Sequence, residues 1–177
     1  MTHPLERWPA HHRRLALIGV CAVTLAITVG GAATQPLGDR DIVDFELAGS
    51  VGEAKEILAG WRADGVIGDA KAIQLFDLVY PLIYSSALAG LCLAAAGAWR
   101  RAGRPRAAAL GTAMAWVALA AAGFDYVENV GLAVSLWDEP ASPWPQVSAV
   151  AASLKFAGIA AALLYALSGP VAALRRA

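Results

Sequence analysis

The sequence is poor in the residues that most enzyme and metal sites use. It contains two cysteines and three histidines in 177 residues, and every histidine lies within the first 12 positions. It has no CxxC pair, no HExxH or GxSxG motif and no phosphate-binding glycine loop. These absences disfavour zinc sites, thioredoxin-type redox pairs and the familiar hydrolase and kinase chemistries. We therefore expect neither a cofactor nor a metal.

Charge is also scarce. Asp, Glu, Lys and Arg make up 16% of the chain, against about 25% in a typical soluble domain. Hydrophobic residues reach 58% and the mean hydropathy is +0.55, a composition that favours burial in lipid and makes membrane lipid the expected partner. The formal net charge is zero, so no basic field is available to attract nucleic acid, and nucleic acid is not an expected partner.

Four apolar runs are long enough for helices that cross a bilayer, which need about 20 residues. They cover approximately residues 15–33, 73–99, 107–136 and 147–167. The first run also has features of a signal peptide, because basic residues precede it and Gly31, Ala32 and Ala33 end it. We interpret it as a retained span. The predicted fold is all-α, a polytopic membrane protein with four transmembrane helices in one bundle and a single domain over residues 1–177.

The charges that flank the spans predict their orientation. Basic residues cluster before the first span, between the second and third, and after the fourth: Arg7, Arg13, Arg14, Arg100, Arg101, Arg104, Arg106, Arg175 and Arg176. Acidic residues fill the links after the first and third spans. Since positively charged flanks stay on the cytoplasmic side, both termini are predicted to be cytoplasmic (N-in, C-in) and both acidic links to lie outside.

The outer link between the first two spans has helical signals of its own. Ser50 and Glu53 fit an S-x-x-E capping box. Apolar residues then recur at helical spacing and predict an amphipathic helix over residues 51–62, with Val51, Ala54, Ile57, Leu58 and Trp61 on its apolar face. Two placements fit this face: on the outer membrane interface, or over the bundle as a lid. Upstream, Ile42–Leu47 alternates apolar and acidic residues and predicts an extended stretch.

Five polar side chains lie inside the predicted spans, where an ionisable group costs roughly 2.5 to 3.5 kcal/mol. They are Asp77, Asp125, Glu128, Asn129 and Lys155. With a rise of about 1.5 Å per residue, the predicted topology puts all five at comparable depths in the outer half of the membrane. They can therefore meet.

Helical spacing predicts that these residues frame a polar cavity that opens outward. Two stripes carry them, with Asp77, Tyr80 and Tyr84 on the second span and Asp125, Glu128 and Asn129 on the third, while Lys155 faces them from the fourth. Pro81 is expected to kink the second span just below Asp77. Three acids exceed one lysine, so Lys155 should pair with Asp125 or Asp77, and a remaining acid must be protonated, hydrated or matched by a bound cation or cationic ligand.

These seven residues are the candidate ligand-binding site: Asp77, Tyr80, Tyr84, Asp125, Glu128, Asn129 and Lys155. The alternative is a structural polar network that fixes the register of the helices. In that case the tyrosines are core or interface residues.

Several motifs resemble a known group of proteins. They are Phe45–Gly49, an Ala-x-x-Ile-Leu-x-x-Trp pattern ending at Trp61, Phe76–Tyr84, Asp125-x-x-Glu128-Asn129 and Lys155-Phe156. From Phe45 onward the chain resembles an uncharacterised family of small bacterial four-helix inner-membrane proteins. The resemblance implies a multi-pass protein of the bacterial inner (cytoplasmic) membrane and carries no activity with it.

In topology alone the chain is similar to the emopamil-binding and sigma-2 receptor superfamily, in which intramembrane acids hold a cationic amine. The histidine and glutamate pattern of that superfamily is not clear in this sequence. Sterol isomerase activity is therefore not expected.

Two classes of function stay open at this point, and the sequence does not decide whether the protein is an enzyme. In the first, an outward pocket binds a small amphiphilic or cationic molecule or a lipid head group, and an acid with a raised pKa acts on it. In the second, the chain is an accessory or scaffolding subunit with a membrane-protein partner or a second copy of itself. Proton or cation transport is less favoured, because the inner half of the spans has no matching polar path.

Overall fold

The computed structural model describes residues 10–34, 37 and 39–174 of the chain. Every regular element in this part is an α-helix, which confirms the all-α prediction. The helices are α1 Ala10–Thr34, α2 Ile42–Glu46, α3 Val51–Ala63, α4 Ile67–Phe76, α5 Tyr80–Arg101, α6 Pro105–Trp137, α7 Trp144–Ala166 and α8 Ser168–Leu174. Arg7, Arg175 and Arg176, on which part of the orientation prediction rests, lie outside the described residues.

Three stretches are long and apolar enough to cross a membrane. They are α5 with 22 residues, α6 with 33, and Trp144–Ala172 with 29. The apolar part of α1, Arg14–Gly30, is shorter. Large apolar side chains are exposed along these helices, including Leu15, Ile18, Leu82, Leu110, Val130 and Leu164. Exposed apolar area on this scale is typical of a surface that faces lipid, so the structure supports a multi-pass membrane protein with three candidate spans.

The second predicted span begins too early. Residues 73–99 were expected to form one helix, but α4 ends at Phe76 and α5 begins at Tyr80. Asp77 is the C-cap of α4, and its amide donates to the carbonyl of Ile73 at 2.9 Å. Pro81 lies in the first turn of α5, where its missing N–H removes no helical hydrogen bond. The proline marks the start of a helix, and the predicted kink below Asp77 is wrong.

The chain forms two compact units. Unit 1 comprises Met1–Ile27, Leu82–Ala121 and Phe156–Ala177, and unit 2 comprises Thr28–Pro81 and Ala122–Lys155. In unit 1, alanines without exposed surface fill the core where α5, α6 and α7 meet: Ala89, Ala96, Ala115, Ala118 and Ala162. Such small side chains let helix backbones approach closely.

Unit 2 contains the predicted amphipathic helix, found as α3. The Ser50 side chain accepts from the Glu53 amide at 3.2 Å, and its hydroxyl donates to the Glu53 carboxylate at 3.0 Å. The apolar face of α3 is buried against α2 and α6, in a cluster that includes Ala54, Ile57, Leu58, Trp61, Ile42, Phe45, Leu132 and Leu136. Of the two predicted placements, the structure has the one in which the apolar face of α3 packs against protein. We call residues 42–76, with α2, α3 and α4, the cap.

The structure also corrects the prediction for the first part of the cap. Residues 42–47 were expected to be extended, but Ile42–Glu46 is helical. Asp41 and Asp44 form a reciprocal capping box, with both side chain to amide distances at 3.0 Å. The local hydrogen bonds to backbone donors favour a helical turn over an extended strand, and this turn buries Ile42, Phe45 and Glu46.

Candidate functional site

The Lys155 ammonium group of α7 lies among three carboxylates of unit 2. Its Nζ atom is 2.8 Å from Oε1 of Glu128, 2.9 Å from Oε2 of Glu46 and 3.8 Å from Oδ1 of Asp125. All four side chains are buried. We call these four residues the charge cluster. The predicted pairing of Lys155 with Asp125 or Asp77 was therefore incomplete, because the two short contacts go to Glu46 and Glu128.

Helix α2 supplies the carboxylate that sequence reasoning missed. Glu46 follows Phe45 on the buried side of the turn, one helical turn after Ile42. Packing of Ile42 and Phe45 in the apolar core of the cap fixes the direction of the Glu46 side chain. The Lys155–Glu46 contact thereby joins the cap to α7.

Helix α6 supplies Asp125, Glu128 and Asn129 from one stripe, as the spacing predicted. At the same level, α6 approaches α7 closely because Gly131 has no side chain: a Cβ atom there would collide with Ser148. The Ser148 hydroxyl donates to the Glu128 carbonyl at 3.2 Å. This close packing positions the Glu128 carboxylate beside Lys155.

An amide network extends the charge cluster towards the α4–α5 junction. The Asn129 amide donates to Oδ1 of Asp125 at 3.3 Å and to the backbone carbonyl of Asp77 at 3.1 Å. Asn129 accepts from the Gln74 amide at 2.6 Å, and Gln74 is itself buried. The three-residue break before α5 places Asp77 here, where its carbonyl has no helical partner and accepts from Asn129.

The acids of this region outnumber its lysine. Lys155 faces Glu46, Asp125 and Glu128, and Asp77 is half-buried nearby. In a medium of low dielectric constant, uncompensated carboxylates are strongly disfavoured relative to their protonated forms. The excess of carboxyl groups over Lys155 therefore favours the protonated form of these acids.

Two acids of this region, Glu46 and Asp77, lie outside the candidate spans. Burial raises the pKa of Glu46, opposed by the charge of Lys155 and by the hydrogen bond that Lys155 donates. Burial also raises the pKa of Asp77, opposed by the charge of Lys155 and by hydrogen bonds from Asn129 and Asp125. Desolvation is the larger cause in each case, so both carboxyl groups hold a proton more tightly than they do in water.

Side chains fill the charge cluster. Glu128 has no exposed surface and Asp125, Lys155 and Glu46 are 2%, 4% and 6% exposed. One oxygen, Oε2 of Glu128, is buried without a hydrogen-bond partner. Cavities of about 440 and 310 Å³ lie in unit 1 and are not lined by these residues. Among the described residues, no group of three or more His, Cys, Asp or Glu side chains is arranged to hold a metal ion.

Tyr80 and Tyr84 do not share a helical stripe with Asp77, because the helix is interrupted between Asp77 and Tyr80. The Tyr80 hydroxyl is 2.6 Å from Oγ1 of Thr28, and its ring stacks on Phe76 with centroids 6.1 Å apart. Tyr84 is buried and belongs to unit 1. Of the seven predicted site residues, the structure brings Asp125, Glu128, Asn129 and Lys155 together, with Asp77 at the margin.

Two residues of this site, Glu46 and Gln74, were not predicted. The Asp41-x-x-Asp44 capping pattern was the available signal for Glu46, because a helix there puts Glu46 on the face of Ile42. The charge balance argued against a further carboxylate, because the predicted acids already outnumbered Lys155. Gln74 had no signal beyond being the polar residue of an apolar run.

Comparison of the chain with protein-family models, with curated proteins and with solved structures finds no match.

Proposed function

We propose that the chain crosses the bacterial cytoplasmic membrane four times, with both termini on the cytoplasmic side, and belongs to the uncharacterised four-helix family that it resembles. The α1 helix is the first span: 25 residues at about 1.5 Å each exceed the roughly 30 Å hydrocarbon core. The arginines of the short flanks support this orientation: Arg13 and Arg14 lie near the start of α1, and Arg100, Arg101, Arg104 and Arg106 lie at the turn between α5 and α6.

Within that framework, the protein is a non-catalytic accessory or scaffolding subunit, and the charge cluster fastens the cap to α6 and α7. The observation that carries this proposal is the pair of short contacts from Lys155 to Glu46 and to Glu128. They bridge three helices through one buried ammonium group. A buried polar bridge of this kind favours one arrangement of helices over others, at some cost in stability. The partner is a membrane protein or a second copy of the chain.

A second function is supported by one specific observation. Oε2 of Glu128 lacks a partner while the acids outnumber Lys155. A small cationic or amphiphilic molecule that reached this oxygen would gain a charge-assisted hydrogen bond. Such binding requires the cap to move away from α7, because side chains fill the charge cluster.

Glu128→Gln and Lys155→Met separate the two functions when the purified chain is measured by native mass spectrometry and by thermal unfolding in detergent. Lys55→Met is the matched control, since the Lys55 side chain is 55% exposed and pairs with Glu139 at 3.7 Å. We expect Lys155→Met to lower the unfolding temperature strongly, because it leaves buried carboxylates without their cation. We expect Lys55→Met to leave it unchanged within a few degrees.

The mass spectrum decides what the charge cluster is for. If the cluster is structural, the unmodified protein carries no stoichiometric small molecule that Glu128→Gln removes, and the variants change stability alone. If Glu128→Gln keeps the unfolding temperature but removes a stoichiometric non-protein mass, the accessory role is wrong and the ligand-binding function replaces it.

A further inference from the structure

The turn between α5 and α6 forms an arginine-lined groove in unit 1. The groove has a volume of about 440 Å³ and is lined by Trp99, Gly103, Arg104, Pro105, Arg106 and Ala107. Four arginines occur within the seven residues Arg100–Arg106, and the described part of unit 1 contains no Asp or Glu. An anion that enters this groove meets no acidic competitor within the described part of the unit.

The backbone of this turn has a defined geometry. Gly103 has φ of 71°, the left-handed conformation that glycine adopts at little cost. The Arg104 amide donates to the Trp99 carbonyl at 3.0 Å and the Gly103 amide to the Arg100 carbonyl at 3.1 Å. This pair of bonds is a Schellman motif, and it sets Arg104 and Arg106 on either side of Pro105, where α6 begins.

Two side chains fix the walls of the groove. The Trp99 indole donates to the Ser168 hydroxyl at 2.9 Å, which orients the ring against α8. The Tyr165 hydroxyl donates to the Ala107 carbonyl at 2.8 Å, which holds the first turn of α6 against α7. The groove is thus preorganised, so less conformational entropy is lost when an anion binds.

An apolar track runs away from the arginines along α6. Leu110 and Ala113 follow Arg106 by one and two turns on the same face, and both are exposed. Leu110 is 51% exposed. A phosphate held by Arg104 and Arg106 would therefore have an apolar surface beside it for an acyl chain. Tryptophan at the membrane boundary next to basic side chains is the arrangement that suits a lipid head group.

We infer that this groove binds the phosphate of an anionic phospholipid through Arg104 and Arg106, with the acyl chains lying along Leu110 and Ala113. The inference rests on the membrane placement proposed above, but not on the role of the charge cluster. Free phosphate esters share the head-group chemistry and lack the chains. Binding that depends on both the arginines and the acyl chains identifies the lipid as the ligand.

The test is native mass spectrometry of the full chain in detergent, titrated with phosphatidylglycerol, phosphatidylcholine or glycerol phosphate. We expect phosphatidylglycerol to bind at least tenfold more tightly than phosphatidylcholine, and glycerol phosphate to bind more weakly than either. Arg104→Gln with Arg106→Gln should weaken phosphatidylglycerol binding about thirtyfold. The double variant to Lys at both positions should keep most of the affinity, because it keeps the charge.

The matched control is Arg40→Gln with Arg62→Gln, which removes two exposed arginines of unit 2. It should leave the affinity for phosphatidylglycerol unchanged. Equal binding of the two lipids, or unchanged binding by the Arg104 and Arg106 double variant with an unchanged unfolding temperature, overturns the inference. Tight binding of glycerol phosphate would instead identify a soluble phosphate ester as the ligand. None of these results depends on Glu128 or Lys155, so the accessory role stands or fails separately.

Discussion

Nζ of Lys155 lies 2.9 Å from Oε2 of Glu46, although the two residues are 109 positions apart in the chain. The contact joins a five-residue helix of the cap to an apolar helix that is a candidate span. The side chains of Lys155 and Glu46 are 5% and 8% exposed. This buried ion pair links the cap to α7, in addition to the apolar packing of the cap against α6, and is therefore the first target for mutation.

The first prediction concerns the coupling between these two residues. In a double-mutant cycle, Glu46→Gln and Lys155→Met should show a coupling energy of about 1 to 3 kcal/mol, because each single change leaves the other partner buried and imperfectly paired. Unfolding in mixed micelles, titrated with sodium dodecyl sulfate, measures each free energy. Arg40 and Glu56, at 3.9 Å with side chains 54% and 76% exposed, provide the control cycle, with coupling below about 1 kcal/mol. Equal coupling in both cycles would contradict the buried bridge.

A second prediction concerns pH. Burial raises the pKa of Glu46 and of Asp77, so the folded chain binds protons more tightly than the unfolded chain. Stability is then greatest below the ordinary carboxyl pKa of about 4.3 and is lost as the pH rises through the higher folded-state pKa. The charged and titratable groups that act on Glu46 are Lys155, Glu128 and Asp77.

Thermal unfolding of the detergent-solubilised chain between pH 4 and pH 8 measures this dependence. We expect the unfolding temperature to fall with rising pH, and the slope to be smaller in Glu46→Gln, which cannot ionise. Glu56→Gln alters an exposed carboxyl and should follow the unmodified chain. A slope in Glu46→Gln that equals that of the unmodified chain would show that ionisation of Glu46 does not cause the pH dependence.

A third prediction concerns the apolar core of the cap. Trp61 is 1% exposed, its ring packs edge-on to Phe45 with centroids 5.2 Å apart, and its indole donates to the Arg40 carbonyl at 3.0 Å. Trp61→Ala should destabilise unit 2 by about 3 to 5 kcal/mol. Leu47→Ala is the control, because Leu47 is 45% exposed in the same segment. Hydrogen exchange would show the loss of protection, and unchanged exchange in α3 would contradict a packed cap.

The sequence predicts the secondary structure of this chain more reliably than it predicts the charge cluster. Helices α3, α6 and α7 follow from a capping serine and from long apolar runs, which are local signals. The break at Asp77–Val79 also had a local signal in Pro81, but a proline within a hydrophobic run fits a kink as well as a helix start. Hydropathy averages over a window and does not resolve the three residues of that break.

The partner of Lys155 could not be predicted from the spans, because it lies outside them. Glu46 is in a segment whose period fits a strand, and only the tertiary packing of Ile42 and Phe45 turns it inward. Asp125, Glu128 and Asn129 were found because intramembrane polar residues are costly and face protein or water. An acid in a polar extramembrane link carries no such signal.

The fourth prediction uses the close approach of two helices in unit 1. A Cβ atom on Gly111 would lie 2.6 Å from two ring carbons of Tyr165, whereas a Cβ on Gly123 of the same helix would meet nothing within 4 Å. Gly111→Ala should cost about 1 to 3 kcal/mol through overpacking. Gly123→Ala should be neutral or stabilising by up to about 1 kcal/mol, because alanine is the better helix former. Micellar unfolding of both variants measures the difference, and equal stabilities would show that Tyr165 yields without cost.

The last prediction tests the four-span topology through chemical labelling of intact cells. With Cys21 and Cys92 replaced by alanine, single cysteines at Glu56→Cys and Arg104→Cys probe the cap and the α5–α6 turn. A membrane-impermeant maleimide should label the first and spare the second until the membrane is opened, because the proposed topology places the cap outside and the arginine-rich turn on the cytoplasmic side. Labelling of both positions in intact cells, or of Arg104→Cys alone, would contradict the orientation.

An even number of spans further requires the two termini to respond alike, so a tag on either terminus should be protected from external protease. If α1 does not cross the membrane, the three candidate spans place the termini on opposite sides, and protection of one tag alone would reveal it.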